Sequence, residues 1–225
     1  MRTSSIQNAP FASTVRIPAG EVWCEGDLHI PAGAQGLVLF AHGSGSSRHS
    51  PRNQFVARVL EEAGLGTLLF DLLTRPEERS DSLDGHLRFD IGFLARRLEA
   101  ATRWVIEQPA TQHLGLGCFG SSTGAAAALV ATAELGPMIG AVVSRGGRPD
   151  LAAAALRRVK CPTLLIVGGD DDVVLELNRD AYALLAGPKE LKIIPGATHL
   201  FEEPGTLEQV ADAAAGWFVK HLQPH

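Results

Sequence analysis

The sequence predicts an α/β fold: a doubly wound, mainly parallel sheet with an antiparallel hairpin at its N-terminal end. Three observations carry this. Short continuous apolar runs recur along the chain, and such runs mark strands buried on both faces. Segments with helical spacing alternate with them, which makes βαβ units whose right-handed crossovers wind a parallel sheet. The opening segment instead reads as paired strands separated by turns containing Pro and Gly.

Val15-Arg16-Ile17 precedes Pro18-Ala19-Gly20, and the extended run Glu21 to Ile30 precedes Pro31-Ala32-Gly33, so a β-meander is expected to open the sheet. Leu37 to Phe40 is the first buried strand. Ser50-Pro51 looks like an N-cap with proline at the first helical position, and Phe55, Val56, Val59 and Leu60 keep helical spacing up to Gly64. Thr67 to Phe70 is the next strand and Leu87 to Val105 the next helix. Further strands are expected at Leu114–Phe119, Ile139–Val143, Leu164–Val167 and Leu191–Ile194. Helices fit at Thr123–Leu135, Val174–Leu185 and Thr206–Leu222. The polar, acid-rich stretch from Leu72 to His86 is expected to be an irregular loop, functional or mobile.

At 225 residues, with 45% hydrophobic and 20% charged side chains, the chain has material for one such domain over 1–225. No repeat or linker divides it. A net charge of -5 without a basic stripe speaks against nucleic-acid binding. Met1 to Ser13 shows no basic segment followed by an apolar run. Ala125–Ala133, the apolar stretch nearest to a membrane span, is about half the required length. Cys24, Cys118 and Cys161 are odd in number and form no CxxC pair, which fits reduced thiols better than disulfides or a zinc site. A cytoplasmic protein is expected, with no membrane or nucleic-acid partner, no metal and no cofactor.

Acyl transfer needs a nucleophile, a base, a carboxylate to orient the base, and donors for the oxyanion. Gly120-Ser121-Ser122-Thr123-Gly124 stands between a strand and a helix, the context in which G-x-S-x-G forms a sharp nucleophile-bearing turn. The flanks of the serine must be nearly free of side chains. Gly120, Gly124 and Ala125 serve Ser122 in this way, whereas Phe119 and Thr123 would crowd Ser121. A strand ending in Gly168-Gly169-Asp170-Asp171-Asp172 places three carboxylates at the ligand-binding edge of the sheet. Chemistry alone does not choose among them, although Asp172 suits the N-terminus of the next helix. Among eight histidines, His199 follows a late strand in Gly196-Ala197-Thr198-His199. The Thr123 N–H and the Ser44 N–H, within His42-Gly43-Ser44-Gly45-Ser46-Ser47, are the expected oxyanion donors. His42 reads as a residue shaping that loop. Arg145 and Arg48 could each recognise an acidic substrate, with a structural ion pair to one of the loop acids as the alternative.

These motifs resemble the α/β-hydrolase superfamily, and within it the dienelactone-hydrolase-like branch. The carriers are HGSGSS at 42–47, GSSTG at 120–124, GGDDD at 168–172 and GATH at 196–199. The resemblance implies an α/β-hydrolase fold and a Ser122, Asp171, His199 triad; it selects Asp171 as the acid. The expected activity is hydrolysis of small-molecule carboxylic esters through an acyl-enzyme. Thioesterase, lactonase, amidase and acyltransferase activities share the triad, and an accessory domain retaining the fold is a reading of another class. True dienelactone hydrolases use cysteine where this chain has Ser122. Only Ser144 to Lys160 separates two strands where many superfamily members insert a helical cap, so no large cap is expected. Likeness to hydrolase domains joined to phosphoribosyltransferase domains points to a phosphoribosyltransferase-type partner, beside a second copy of this chain.

Overall fold

The computed structural model describes residues 10–224. Most of the Met1–Ser13 segment, and His225, lie outside the described residues. The strands are β1 (Phe11–Ala19), β2 (Val22–Ile30), β3 (Gly36–Ala41), β4 (Gly66–Phe70), β5 (Gly115–Ser121), β6 (Ala141–Arg145), β7 (Thr163–Gly168) and β8 (Lys189–Ile194). The helices are α1 (Pro51–Glu62), α2 (Arg75–Asp84), α3 (Ile91–Glu107), α4 (Thr123–Leu135), α5 (Ala153–Leu156), α6 (Asp172–Leu184) and α7 (Thr206–His221).

One eight-stranded sheet runs in the order β1-β2-β4-β3-β5-β6-β7-β8. All neighbours from β4 to β8 are parallel, while β1–β2 and β2–β4 are antiparallel. The N-terminal segment is therefore a hairpin joined to β4, not a meander that continues into β3. The strand β3 shows why the parallel body forms. Leu37, Leu39 and Ala41 pack into the core beneath α3 and α4, while Val38 and Phe40 pack beneath α1 and α7. Every residue of this strand is buried, which removes any polar face and leaves a sheet covered on both sides.

The helix α4 is apolar all round and almost wholly buried. Its alanines allow close approach to both the sheet and α3. The helix α1 begins at Ser50, whose side chain accepts from the Asn53 N–H, with Pro51 at the first position.

The stretch from Leu72 to His86 is not irregular. It contains α2, opened by a capping box in which Thr74 Oγ1 accepts from the Glu77 N–H and Glu77 Oε2 accepts from the Thr74 N–H at 2.7 Å. The Thr74-Arg75-Pro76-Glu77 spelling carries that signal in the sequence. Apolar periodicity misses it because Asp81 is the only buried residue of this helix. Between β6 and β7 lie only a short 3₁₀ turn (Pro149–Ala152) and α5, so no cap domain is inserted there. Among the described residues no helix is long and apolar enough to cross a membrane.

The strand β3 has β4 on one side and β5 on the other, so the connections leave it in opposite directions. Such a switch point opens a crevice at the carboxyl ends of the strands, and the loops carrying residues 42–47, 122, 171 and 199 gather there.

Candidate active site

Ser122 sits in the turn between β5 and α4 with φ 51° and ψ −121°, one of two non-glycine residues with positive φ among the described residues. A side chain there is strained, and such strain persists only where the surroundings enforce it. Crowding supplies the enforcement. A Cβ on Gly120 would lie 2.7 Å from the Ala125 N, and one on Gly124 would lie 2.5 Å from the His42 carbonyl oxygen and closer still to that of Ala41. The Ser122 N–H donates to the Arg145 carbonyl at 3.2 Å, and the Arg148 N–H donates to the Ser122 carbonyl at 3.1 Å. Ser122 is half-buried and reachable, whereas Ser121 is enclosed in β5.

Asp171 and His199 meet across the ends of the adjacent strands β7 and β8. His199 Nδ1 lies 2.7 Å from Asp171 Oδ2. A carboxylate at Nδ1 places the ring proton there and leaves Nε2 as the basic nitrogen. The two loops are tied through the backbone as well, since the Asp170 N–H donates to the Ala197 carbonyl at 3.0 Å. Of the other aspartates, Asp170 is exposed, and Asp172 opens α6, where its charge meets the helix N-terminus.

The loop holding His199 is anchored on both sides. Glu203 accepts from the Thr198 N–H at 3.1 Å and from Thr198 Oγ1 at 2.6 Å. Phe201, at φ 55°, turns its ring into the core and is 2% exposed. Gly146 fits beneath this loop: a Cβ there would stand 3.2 Å from the His199 carbonyl oxygen and 3.6 Å from its ring Cε1. Ser122 and His199 thus flank the same short segment, Arg145-Gly146, at the end of β6. Among the described residues no hydrogen bond joins Ser122 Oγ to His199.

Facing Ser122 is the 42–47 loop. A Cβ on Gly43 would stand 3.1 Å from that of Ser122, so the loop presses against the turn. His42 Nε2 accepts from the Leu72 N–H at 3.0 Å, and its Nδ1 lies 3.0 Å from the Gly43 carbonyl. Nε2 as acceptor requires the neutral Nδ1–H tautomer, so His42 ties this loop to the segment before α2. Burial pushes its pKa below 6.5. Thr123 is the first residue of α4, so its N–H has no acceptor within the helix. The Ser44 N–H donates to Thr123 Oγ1 at 2.9 Å.

The two arginines differ. Arg48, 9% exposed, is bound by three carboxylates: Asp71, Glu25 at 2.8 Å and Asp27 at 3.2 Å. Its charge is committed to ion pairs with acids on β2 and just past β4, the structural alternative to substrate recognition. Arg145, 7% exposed, has no carboxylate within ion-pair distance among the described residues, and its Nε and Nη1 are buried without an acceptor. Burial, with a smaller contribution from Arg52, lowers its pKa to about 10. Its Cζ stands 6.0 Å from the Phe201 ring centroid.

A cavity of about 720 Å³ opens between the 42–51 loop and the start of α2, with Leu72, Leu73 and Leu94 at its apolar side and Arg75 and Arg79 on its helical wall. The 42–47 loop is legible in the sequence, whereas the α2 wall is not, because that helix shows no apolar stripe. His86 is exposed and paired with Asp84 at 2.6 Å.

The model of the dienelactone hydrolase family matches residues 34–222. The chain belongs to the dienelactone hydrolase family. A dienelactone hydrolase from Anabaena variabilis ATCC 29413, known from its crystal structure, is similar at 59% identity with a TM-score of 0.94, over 95% of this chain and 99% of that one. Est1E from Butyrivibrio proteoclasticus shares the fold with a TM-score of 0.78 at 15% identity, over 92% of this chain and 98% of that one. Two Mycobacterium tuberculosis proteins, from strains H37Rv and CDC 1551, carry the name "Putative phosphoribosyl transferase". Each is 58% identical over 208 residues, covering 92% of this chain and 46% of its own length. The chain spans about half the length of the curated relatives it matches. The matched range 34–222 takes in every loop of the candidate site described above.

Proposed function

We propose that this chain is a serine hydrolase that cleaves carboxylic esters of small molecules through an acyl-enzyme. The observation that carries the reading is the 2.7 Å contact of Asp171 with His199, at the sheet edge where Ser122 is held in a strained turn. His199 Nε2 takes the Ser122 proton as Oγ adds to the ester carbonyl. Asp171 keeps the imidazole in the correct tautomer and stabilises the imidazolium. The imidazolium returns the proton to the departing alcohol oxygen, leaving Ser122 acylated. Water, deprotonated by the same nitrogen, then attacks the acyl carbon, and Oγ leaves with the proton. Arg145 is the candidate for recognising an acidic ester, since its guanidinium is unpaired while that of Arg48 is not.

Ser122→Ala is expected to abolish turnover and labelling by a fluorophosphonate while leaving the thermal melt intact. Unchanged ester hydrolysis in that variant would sink the assignment. A panel of p-nitrophenyl esters, thioesters and lactones separates esterase from the activities that share its triad.

A second reading is a hydrolase-fold domain that serves a phosphoribosyl-transferring partner. It is supported by the name and double length of the mycobacterial relatives. Co-elution with a phosphoribosyltransferase domain, undiminished in Ser122→Ala, is its test.

A further inference from the structure

The geometry of the 42–47 loop assigns a role to the Thr123 side chain, and the assignment rests on the ester-hydrolase reading. Two backbone N–H groups, those of Thr123 and Ser44, are the expected oxyanion donors. In the structure they are not equivalent. The Thr123 N–H, at the start of α4, is free of any helical acceptor. The Ser44 N–H is taken by Thr123 Oγ1 at 2.9 Å. Thr123 as a whole residue is 4% exposed. The hydroxyl's acceptance of the Ser44 N–H leaves its own proton to be donated elsewhere, because a hydroxyl is one donor as well as an acceptor.

We infer that the Thr123 hydroxyl is a direct oxyanion donor and that the Ser44 N–H acts through it. The hydrogen-bonded chain runs from Ser44 N–H to Thr123 Oγ, and from Thr123 O–H to the tetrahedral oxygen, with the Thr123 N–H as the second direct donor. Both direct donors then come from one residue at a helix N-terminus, where developing negative charge is favoured. A hydroxyl that accepts one hydrogen bond becomes a better donor in the next. The anchoring of the loop gives this relay its rigidity. Gly43 packs against the Ser122 Cβ, and His42 fixes the loop through Leu72 and the Gly43 carbonyl.

The arrangement makes opposite predictions for the loss of the hydroxyl. If it is a donor, Thr123→Val lowers kcat for p-nitrophenyl acetate about a hundredfold, the usual effect of removing one oxyanion donor, with KM little changed. An arylboronic acid, whose tetrahedral adduct places an oxygen in the same position, loses affinity by a similar factor. Thr123→Ser, which keeps the hydroxyl, recovers most of both losses. If instead the Ser44 N–H is the direct donor, valine frees it from Oγ1, and kcat stays level or rises; that result overturns the inference, as does a change confined to KM. Should valine not fold by circular dichroism, Thr123→Ala is measured in its place against the same outcomes. Persistent turnover in Ser122→Ala identifies failure of the underlying hydrolase reading separately.

Discussion

Asp171 Oδ2 stands 2.7 Å from His199 Nδ1, bridging loops that leave two neighbouring parallel strands. Asp170, one residue earlier, spends its backbone N–H on the Ala197 carbonyl and leaves its carboxylate in solvent. The two aspartates therefore separate by experiment. Asp171→Asn is expected to lower kcat by about 10⁴-fold, by favouring the wrong imidazole tautomer. Asp170→Asn leaves kcat close to that of the wild type. Comparable losses in both variants, measured on one ester, would refute the assignment of Asp171.

Gly124→Ala tests the crowding behind the turn. Its Cβ would press on the Ala41 and His42 carbonyls, which are backbone atoms unable to swing aside. Overpacking of this kind costs roughly 1–3 kcal/mol, and the shift needed to relieve it opens the 42–47 loop. Urea denaturation together with ester turnover should show both losses. A variant as stable and as active as the wild type would mean that the loop yields freely.

His42 gives a pH dependence of stability. Burial holds its folded pKa below 6.5, so near that pH the unfolded chain binds more protons than the folded one, and stability rises with pH. Its contribution is complete above about 6.5 and is lost as the pH falls from there towards the folded value. His42→Gln, which keeps an acceptor for the Leu72 N–H, should show a shallower decline in denaturation midpoint on the acid side. Identical declines in both proteins would remove His42 from the account.

Arg48→Ala leaves Glu25, Asp27 and Asp71 facing one another without a cation. Asp71 is largely buried, so its charge is left poorly compensated, while Glu25 and Asp27 are about half exposed and solvent screens much of their share. The variant should lose stability, with equal effects on anionic and neutral esters. A loss confined to anionic esters would return Arg48 to substrate recognition.

Phe201→Ala removes the ring that holds the His199 loop against the core, a change that usually costs about 3–5 kcal/mol for a buried aromatic. Turnover should fall as well, because the loop that carries the histidine then lacks its packing anchor and keeps only the polar ties through Asp171, Asp170 and Glu203. Full activity in a destabilised variant would show that the loop needs no such anchor.

Much of this site could be read before the fold was known, and the reason is local. The limits of α4, Thr123–Leu135, follow from a Gly-flanked turn and an apolar run. Buried strands such as β3 and β7 are continuous in hydrophobicity. What escaped reading depends on distant partners or on polar packing. The helix α2 shows no apolar stripe because its buried contact is Asp81 held by Arg88. The fate of Arg48 is decided by acids 23 positions away on either side and by Asp27 between them. The bond from Ser44 to Thr123 spans 79 positions, and nothing in either motif announces it. The antiparallel pairing of β2 with β4 passes over the intervening β3, which the local turn signals after Ile30 do not encode.

The turn at Ser122 is crowded by main-chain atoms around Gly120 and Gly124 and, at Gly43, through its own Cβ. Those crowding contacts would be the same whether the Ser122 Cβ carried oxygen or sulfur. Exchange between the two needs no rebuilding of the turn, only retuning of the proton traffic around it. One backbone can in this way host hydroxyl and thiol chemistries as alternative fittings.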